Sequence, residues 1–219
     1  MISSKRYLGI LVLSLLLSGN AFADDIRDFQ IEGISLGDSA LDYFEKKELK
    51  KLTRTNKSKV YDKYCSNESQ KTSQKFTTYE KGICFYTKRN DKSYIIESIA
   101  GFEDFPNNIA ACYNEQDNVD KEIRKLFPNA KREVYDEYKN PIDRSGQSTE
   151  RDIVYVFNDG SEAGTACLKW GKKWLKKNPK SSTHLQVFLD TKEYAKWLKD
   201  EIKKLLNEKT FRDRGSGFV

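Results

Sequence analysis

Asp152-Ile153-Val154-Tyr155-Val156-Phe157-Asn158-Asp159-Gly160-Ser161-Glu162-Ala163-Gly164-Thr165-Ala166-Cys167-Leu168 decides how this chain folds. Two apolar-rich runs, 152–157 and 163–168, flank Asn158-Asp159-Gly160. Asp-Gly readily adopts the positive φ angles that a tight hairpin needs, so the two runs are expected to pair antiparallel. Working outward, strand-like alternation recurs at 131–138 on one side and 183–189 on the other.

Further upstream lie three more such runs, at 60–65, 76–87 and 93–101, the last two joined by the turn Arg89-Asn90-Asp91-Lys92. Three segments carry the helical period instead. The first starts near Ser39, three residues before Asp42 as in a capping box, with Leu41, Phe44, Leu49 and Leu52 on one stripe. The second is capped by Asn107 or Asn108, carries Ile109, Cys112, Gln116, Val119, Ile123 and Leu126, and stops before Pro128. The third opens on Asp190-Thr191-Lys192-Glu193, with Asp190 as the cap and Tyr194, Trp197, Leu198, Ile202 and Leu205 as the buried stripe. Strands that follow strands favour antiparallel pairing, so the expected fold is α+β: an antiparallel sheet of about six to seven strands with three helices packed on it.

At the N-terminus Lys5 and Arg6 precede an apolar run from Leu8 to Leu17, and Ala21-Phe22-Ala23 gives the small-x-small pattern of a signal-peptidase site. A run of about ten apolar residues is half of what a bilayer crossing needs. Residues 1–23 are therefore read as a signal peptide cleaved after Ala23, 24–209 as a single α+β domain and 210–219 as a flexible C-terminal tail. Export points to a periplasmic or secreted protein. Cleavage removes Lys5 and Arg6 and no acid, so the formal charge falls from +6 to +4, mildly basic and far from a polycation.

Four cysteines remain: Cys65, Cys84, Cys112 and Cys167. An even number in an exported chain reads as two disulfides, although four cysteines allow three pairings. Cys65 with Cys84 would tie a polar loop, and Cys112 with Cys167 would tie a helix to a strand. A buried free thiol at Cys112 would show the same pattern. Spacings of 18, 27 and 54 intervening residues hold no C-x-x-C pair, so a zinc site is not expected.

The chemistry-bearing residues are few. His184 is the only histidine, and strand alternation sets it opposite Leu185, Val187 and Leu189, which reads as an exposed sheet position. No nucleophile elbow, zinc-protease helix, phosphate-binding loop or calcium loop is present, so no catalytic residue, no metal and no cofactor is assigned. Glu103 and Asp104, between Phe102 and Phe105, are the carboxylates whose apolar neighbours can raise a pKa; a polar corner is the plainer reading. The loop Asn140-Pro141-Ile142-Asp143-Arg144-Ser145-Gly146-Gln147-Ser148 has dense turn chemistry, suited either to a small polar ligand or to a simple connection.

One segment stands out electrostatically. Lys169-Trp170-Gly171-Lys172-Lys173-Trp174-Leu175-Lys176-Lys177-Asn178-Pro179-Lys180 holds six lysines, two tryptophans and no acid. Ammonium groups around amphipathic rings suit an anionic membrane surface or an acidic polymer. Tryptophans folded back on the core are the bland alternative. An exported chain of charge +4 is a poor nucleic-acid binder, so none is expected as partner.

Ile31-Glu32-Gly33-Ile34-Ser35-Leu36-Gly37-Asp38-Ser39-Ala40-Leu41-Asp42-Tyr43-Phe44, the run Tyr94-Ile95-Ile96-Glu97-Ser98-Ile99-Ala100-Gly101 and the Cys112 helix resemble a group of uncharacterised exported proteins of marine bacteria. The resemblance implies a bacterial periplasmic setting and assigns no activity. The expected function is an exported soluble binding or interaction module, its partner an envelope protein, an anionic polymer or a membrane surface. A carboxylate-based cell-envelope hydrolase and an anionic-surface binder using 169–180 are the alternatives.

Overall fold

The computed structural model describes residues 26–52, 58–66, 76, 78–79 and 82–215, with only the backbone of 208–215. The signal peptide expected at 1–23 and its cleavage point lie outside the described residues. Strands β1 (Tyr61–Cys65), β2 (Ile83–Lys88), β3 (Ile96–Asp104), β4 (Lys131–Lys139), β5 (Thr149–Val156), β6 (Glu162–Lys169) and β7 (His184–Asp190) join in one sheet. Its order is β1-β2-β3-β7-β6-β5-β4, and every neighbouring pair is antiparallel. The expected α+β fold is the one observed. The Asn158-Asp159-Gly160 turn joins β5 to β6 in register, Val156 facing Glu162, with Gly160 at φ +89°.

Helix α2 (Ile109–Leu126) starts where Asn108 Oδ1 accepts from the Ala111 amide and ends at Phe127, just before Pro128. Its stripe of Cys112, Gln116, Val119 and Ile123 is buried. The interrupting Gln116 is satisfied: its amide donates to the carbonyls of Arg151 and Thr165 and accepts from Arg151 Nε. Cys112 bridges Cys167 of β6, and Cys65 bridges Cys84 across β1 and β2, the pairing expected.

The first expected helix is broken. A 3-10 turn (Ala40–Asp42) is capped by Ser39 Oγ, which accepts from the Leu41 amide, and a separate short α1 (Lys46–Leu49) begins where Glu48 accepts from the Glu45 amide. The capping pair is thus Glu45 and Glu48, not Ser39 and Asp42. Phe44, Leu49 and Leu52 are buried as the stripe predicted, whereas Leu41 is exposed. The strand read at 76–87 begins only at Ile83; before it, the Thr78 and Tyr79 amides both donate to Glu32 Oε1. Two more helices follow, α3 (Lys172–Lys177) and α4 (Lys192–Gly215). Thr191, not Asp190, caps α4, since the Tyr194 amide donates to its hydroxyl and Asp190 is still in the sheet. The backbone stays helical to Gly215, so α4 covers 210–215 of the expected tail; 216–219 lie outside the described residues.

Strand alternation gives the sheet two chemically different faces. One carries Phe85, Ile99, Leu185, Val187, Leu189, Cys167, Ile153 and Tyr155, and lies under α2 and the N-terminal segment, where Phe29 meets Phe127 and Phe44 stacks on Phe85. This is the core. The opposite face carries Tyr86, Ala100, Phe102, His184, Gln186, Phe188, Ala166, Leu168 and Val154 by register. Helix α4 covers one end of it through Tyr194, which packs on Tyr61 and Tyr86. Its stripe thins quickly: Tyr194 is buried, Trp197, Leu198 and Ile202 are half-buried, and Leu205 is exposed.

Candidate binding face

At the other end of that second face four rings form a row. Trp174 and Trp170 stack with centroids 4.5 Å apart and planes 11° from parallel. Trp170 lies 6.2 Å from the His184 ring, which meets Phe102 edge-on at 5.7 Å. All four rings are half-buried and none joins the apolar core. The tryptophans therefore do not fold back into the protein interior; they form a ridge on its surface.

The ridge is built by the chain turn after β6. Gly171 lets the chain leave the strand and opens α3: a Cβ there would sit 2.3 Å from Gln147 Cβ. The Gly171 amide donates to Ser148 Oγ and the Lys173 amide to Gln147 Oε1, so the loop before β5 caps this short helix. Trp174 Nε1 donates to Ser181 Oγ. Lys169, Lys172, Lys173, Lys176, Lys177 and Lys180 are exposed, and none has a carboxylate partner among the described residues. Their charge is left to act on whatever approaches the rings.

His184 is on the face the alternation gave it, yet it is half-buried. Its Nδ1 donates to the Ser182 carbonyl, leaving Nε2 as acceptor, and burial lowers its pKa below the usual imidazole value. The pair Glu103 and Asp104 is not a pair in space. The two are successive residues of β3 and point to opposite faces. Glu103, on the α2 side, has its pKa raised by burial and then by Glu115, while Asp104 accepts from Ser182 Oγ at 2.5 Å.

A different carboxyl pair does share a face. Glu150 and Asp152 alternate along β5 on the second face, opposite Leu168 and Ala166 of β6. A register irregularity in β4 brings Tyr138 opposite Glu150, and the Tyr138 hydroxyl donates to Asp152 Oδ2 at 2.5 Å. Asn140 Nδ2 donates to Glu150 Oε2 at 2.7 Å. Burial, and for Glu150 also the neighbouring Asp152, pushes both carboxyls well above the usual carboxylate range. The expected strand began at Asp152, which left Glu150 outside it; extending the alternation through Thr149-Glu150-Arg151-Asp152 is the signal that finds this pair.

Asp143 ties the 140–148 loop together. Asp143 accepts from the Ser145 and Ser148 amides and from both hydroxyls. Burial opposes its ionisation, but those hydrogen bonds outweigh it and hold its pKa at about 2. The loop is a connection that braces α3. Among the described residues no group of three or more His, Cys, Asp or Glu is placed to hold a metal, and no helix is long and apolar enough to cross a membrane.

These features define a disulfide-bridged α+β domain with a basic aromatic ridge at one end of its open sheet face. No protein-family model, curated protein or solved structure matches the chain.

Proposed function

We propose that the protein is an exported binding module that holds an acidic polymer, such as a carboxylated polysaccharide, on the Trp170–Trp174 ridge. The observation that carries this is the ridge itself: half-buried stacked rings outside the core, continued by His184 and Phe102 and flanked by lysines that have no carboxylate partner among the described residues. Ring faces pack on the apolar faces of a polymer unit, while ammonium groups meet its negative charges. A membrane surface fits less well. Insertion needs exposed apolar tips, and among the described residues the exposed large apolar side chains are Leu41, Val60, Val134, Tyr135, Ile142, Leu205 and Leu206, none of them in 169–180.

Two disulfides support an oxidising compartment, and with the N-terminal signal the periplasm or the exterior of a bacterium is the proposed setting. The hydrolase reading keeps one support, the Glu150 and Asp152 pair, but that pair is committed to Tyr138 and Asn140 at the far side of Leu168 from the ridge.

Binding to polygalacturonate, measured by calorimetry, is expected to weaken as salt rises. The W170A/W174A double substitution is expected to weaken it about tenfold or more, roughly 1.4 kcal/mol. No binding even at low salt, or binding unchanged by that substitution, would refute the reading; binding to anionic vesicles alone would replace it with the membrane one.

A further inference from the structure

Resting on that reading of the ridge, we infer that Glu150 and Asp152 hold a proton that sets how α3 and its tryptophans lie, and with it the pH range over which the ridge binds anions. The connection is a continuous path of hydrogen bonds. Glu150 Oε2 accepts from Asn140 Nδ2; Asn140 is buried, its Oδ1 accepts from the Ile142 and Asp143 amides, and its amide donates to the Ser148 carbonyl. Ser148 Oγ donates to Asp143 Oδ2 at 2.6 Å and accepts from the Gly171 amide at 2.9 Å. Gly171 is the first residue of the α3 turn, whose next residues are Lys172, Lys173 and Trp174. The loop that touches the carboxyl pair is therefore the loop that caps the ridge.

The surroundings of the pair favour a neutral acid over two charges. No cation partners either carboxyl among the described residues. From β4 the titratable groups that face it are Tyr138 and, beside Asp152, Tyr135; β6 presents Ala166 and Leu168; β7 presents His184 and Gln186; the loop contributes Asn140 and, behind it, the fully hydrogen-bonded Asp143. Asp152 Oδ1 is buried and accepts no hydrogen bond from any described residue. A buried carboxylate oxygen with no donor is costly, and the neutral acid escapes most of that cost.

Loss of that proton places uncompensated negative charge on the face that carries the ridge. Water must then reach the pair, and the groups in its way are Tyr138 and the Asn140 loop. Both effects act in the same direction: the repulsion and the loosened cap of α3 weaken anion binding as pH rises. His184, next to Trp170, carries its own proton at lower pH and would strengthen anion binding there, so its contribution has to be separated.

The experiment uses the mature chain with Trp197→Phe, so that emission reports Trp170 and Trp174, titrated from about pH 5 to about pH 9. Glu150→Gln and Asp152→Asn each mimic the protonated acid, and His184→Gln removes the imidazole. Emission is expected to titrate near neutrality in the parent and in H184Q, and to be flat in E150Q and D152N. Polygalacturonate affinity is expected to fall about five- to tenfold across the same step in the parent and in H184Q, and to stay level across it in E150Q and D152N. A titration that persists unchanged in both E150Q and D152N overturns the inference, whatever the polymer does. If emission titrates as expected but no polymer binds at any pH, the binding face is refuted and the link between the pair and α3 stands.

Discussion

Gly101 shows how much a single missing side chain can position. Its α-carbon faces the core from β3, and a Cβ there would lie 2.4 Å from the Tyr79 ring, which is itself buried. Gly101→Ala must push that ring out, and overpacking of this kind is expected to cost about 1–3 kcal/mol in urea unfolding. Asp190 is the other decisive residue. It is buried in β7, facing Ser98 and Glu162 across the sheet, and burial raises its pKa to about 7. Because the folded-state value lies above the ordinary value near 4, the protonated acid is the stabilising form. That contribution is complete below pH 4 or so and is lost as pH rises through about 7. Asp190→Asn should therefore be closest to the parent near pH 5 and gain on it by pH 8, a comparison two urea titrations would make. A parent whose stability relative to D190N does not change with pH would show that Asp190 is not held neutral. The sequence offered Asp190 as a helix cap, and only the position of the strand end, one residue before Thr191, reassigns it.

Elements carry the next scale of argument. The strand and helix periods located all seven strands and the Cys112 helix, because alternation and the 3.6-residue repeat are imposed by burial of one face. They overran before Ile83, where the Thr78 and Tyr79 amides are held by Glu32, and they fused two short turns into one helix before Leu52. Local pattern cannot see such breaks, since the same apolar spacing serves a helix and two linked turns. The disulfides reinforce the fold at two places: one staples the edge strand β1 to its paired neighbour β2, the other ties α2 to the sheet at β6. Removing Cys112–Cys167, whose ends are 55 residues apart, is expected to cost about 4 kcal/mol, against about 3 kcal/mol for Cys65–Cys84 at a separation of 19. Thermal unfolding of C112A/C167A and C65A/C84A should place the first below the second. The reverse order would mean that native packing, not chain entropy, sets the stabilisation.

The whole molecule sets a closed core on one side of the sheet and the proposed binding face on the other. The α2 face is a closed core, and the second face is a half-open surface with α4 at one end and the ridge at the other. If the chain is exported as proposed, non-reducing peptide mapping of protein from the exported fraction is expected to find a mature start at Asp24 and two bridges. A retained N-terminus would refute the proposed processing. The sequence by itself determined the α+β class, the antiparallel hairpin at Asn158-Asp159-Gly160, the start of α2 at Asn107 or Asn108 and the even set of cysteines, because each depends on residues near one another in the chain. Its basic segment 169–180 was also legible, as charge and rings in a short stretch. Only the tertiary structure decided that Trp170 and Trp174 stay out of the core, that His184 and Phe102 extend their row, and that Glu103 and Asp104 part company while Glu150, Asp152, Tyr138 and Asn140 converge. The reason is register. Which side chains meet across a sheet depends on how strands distant in sequence are aligned, and a shift of one residue turns every side chain to the other face.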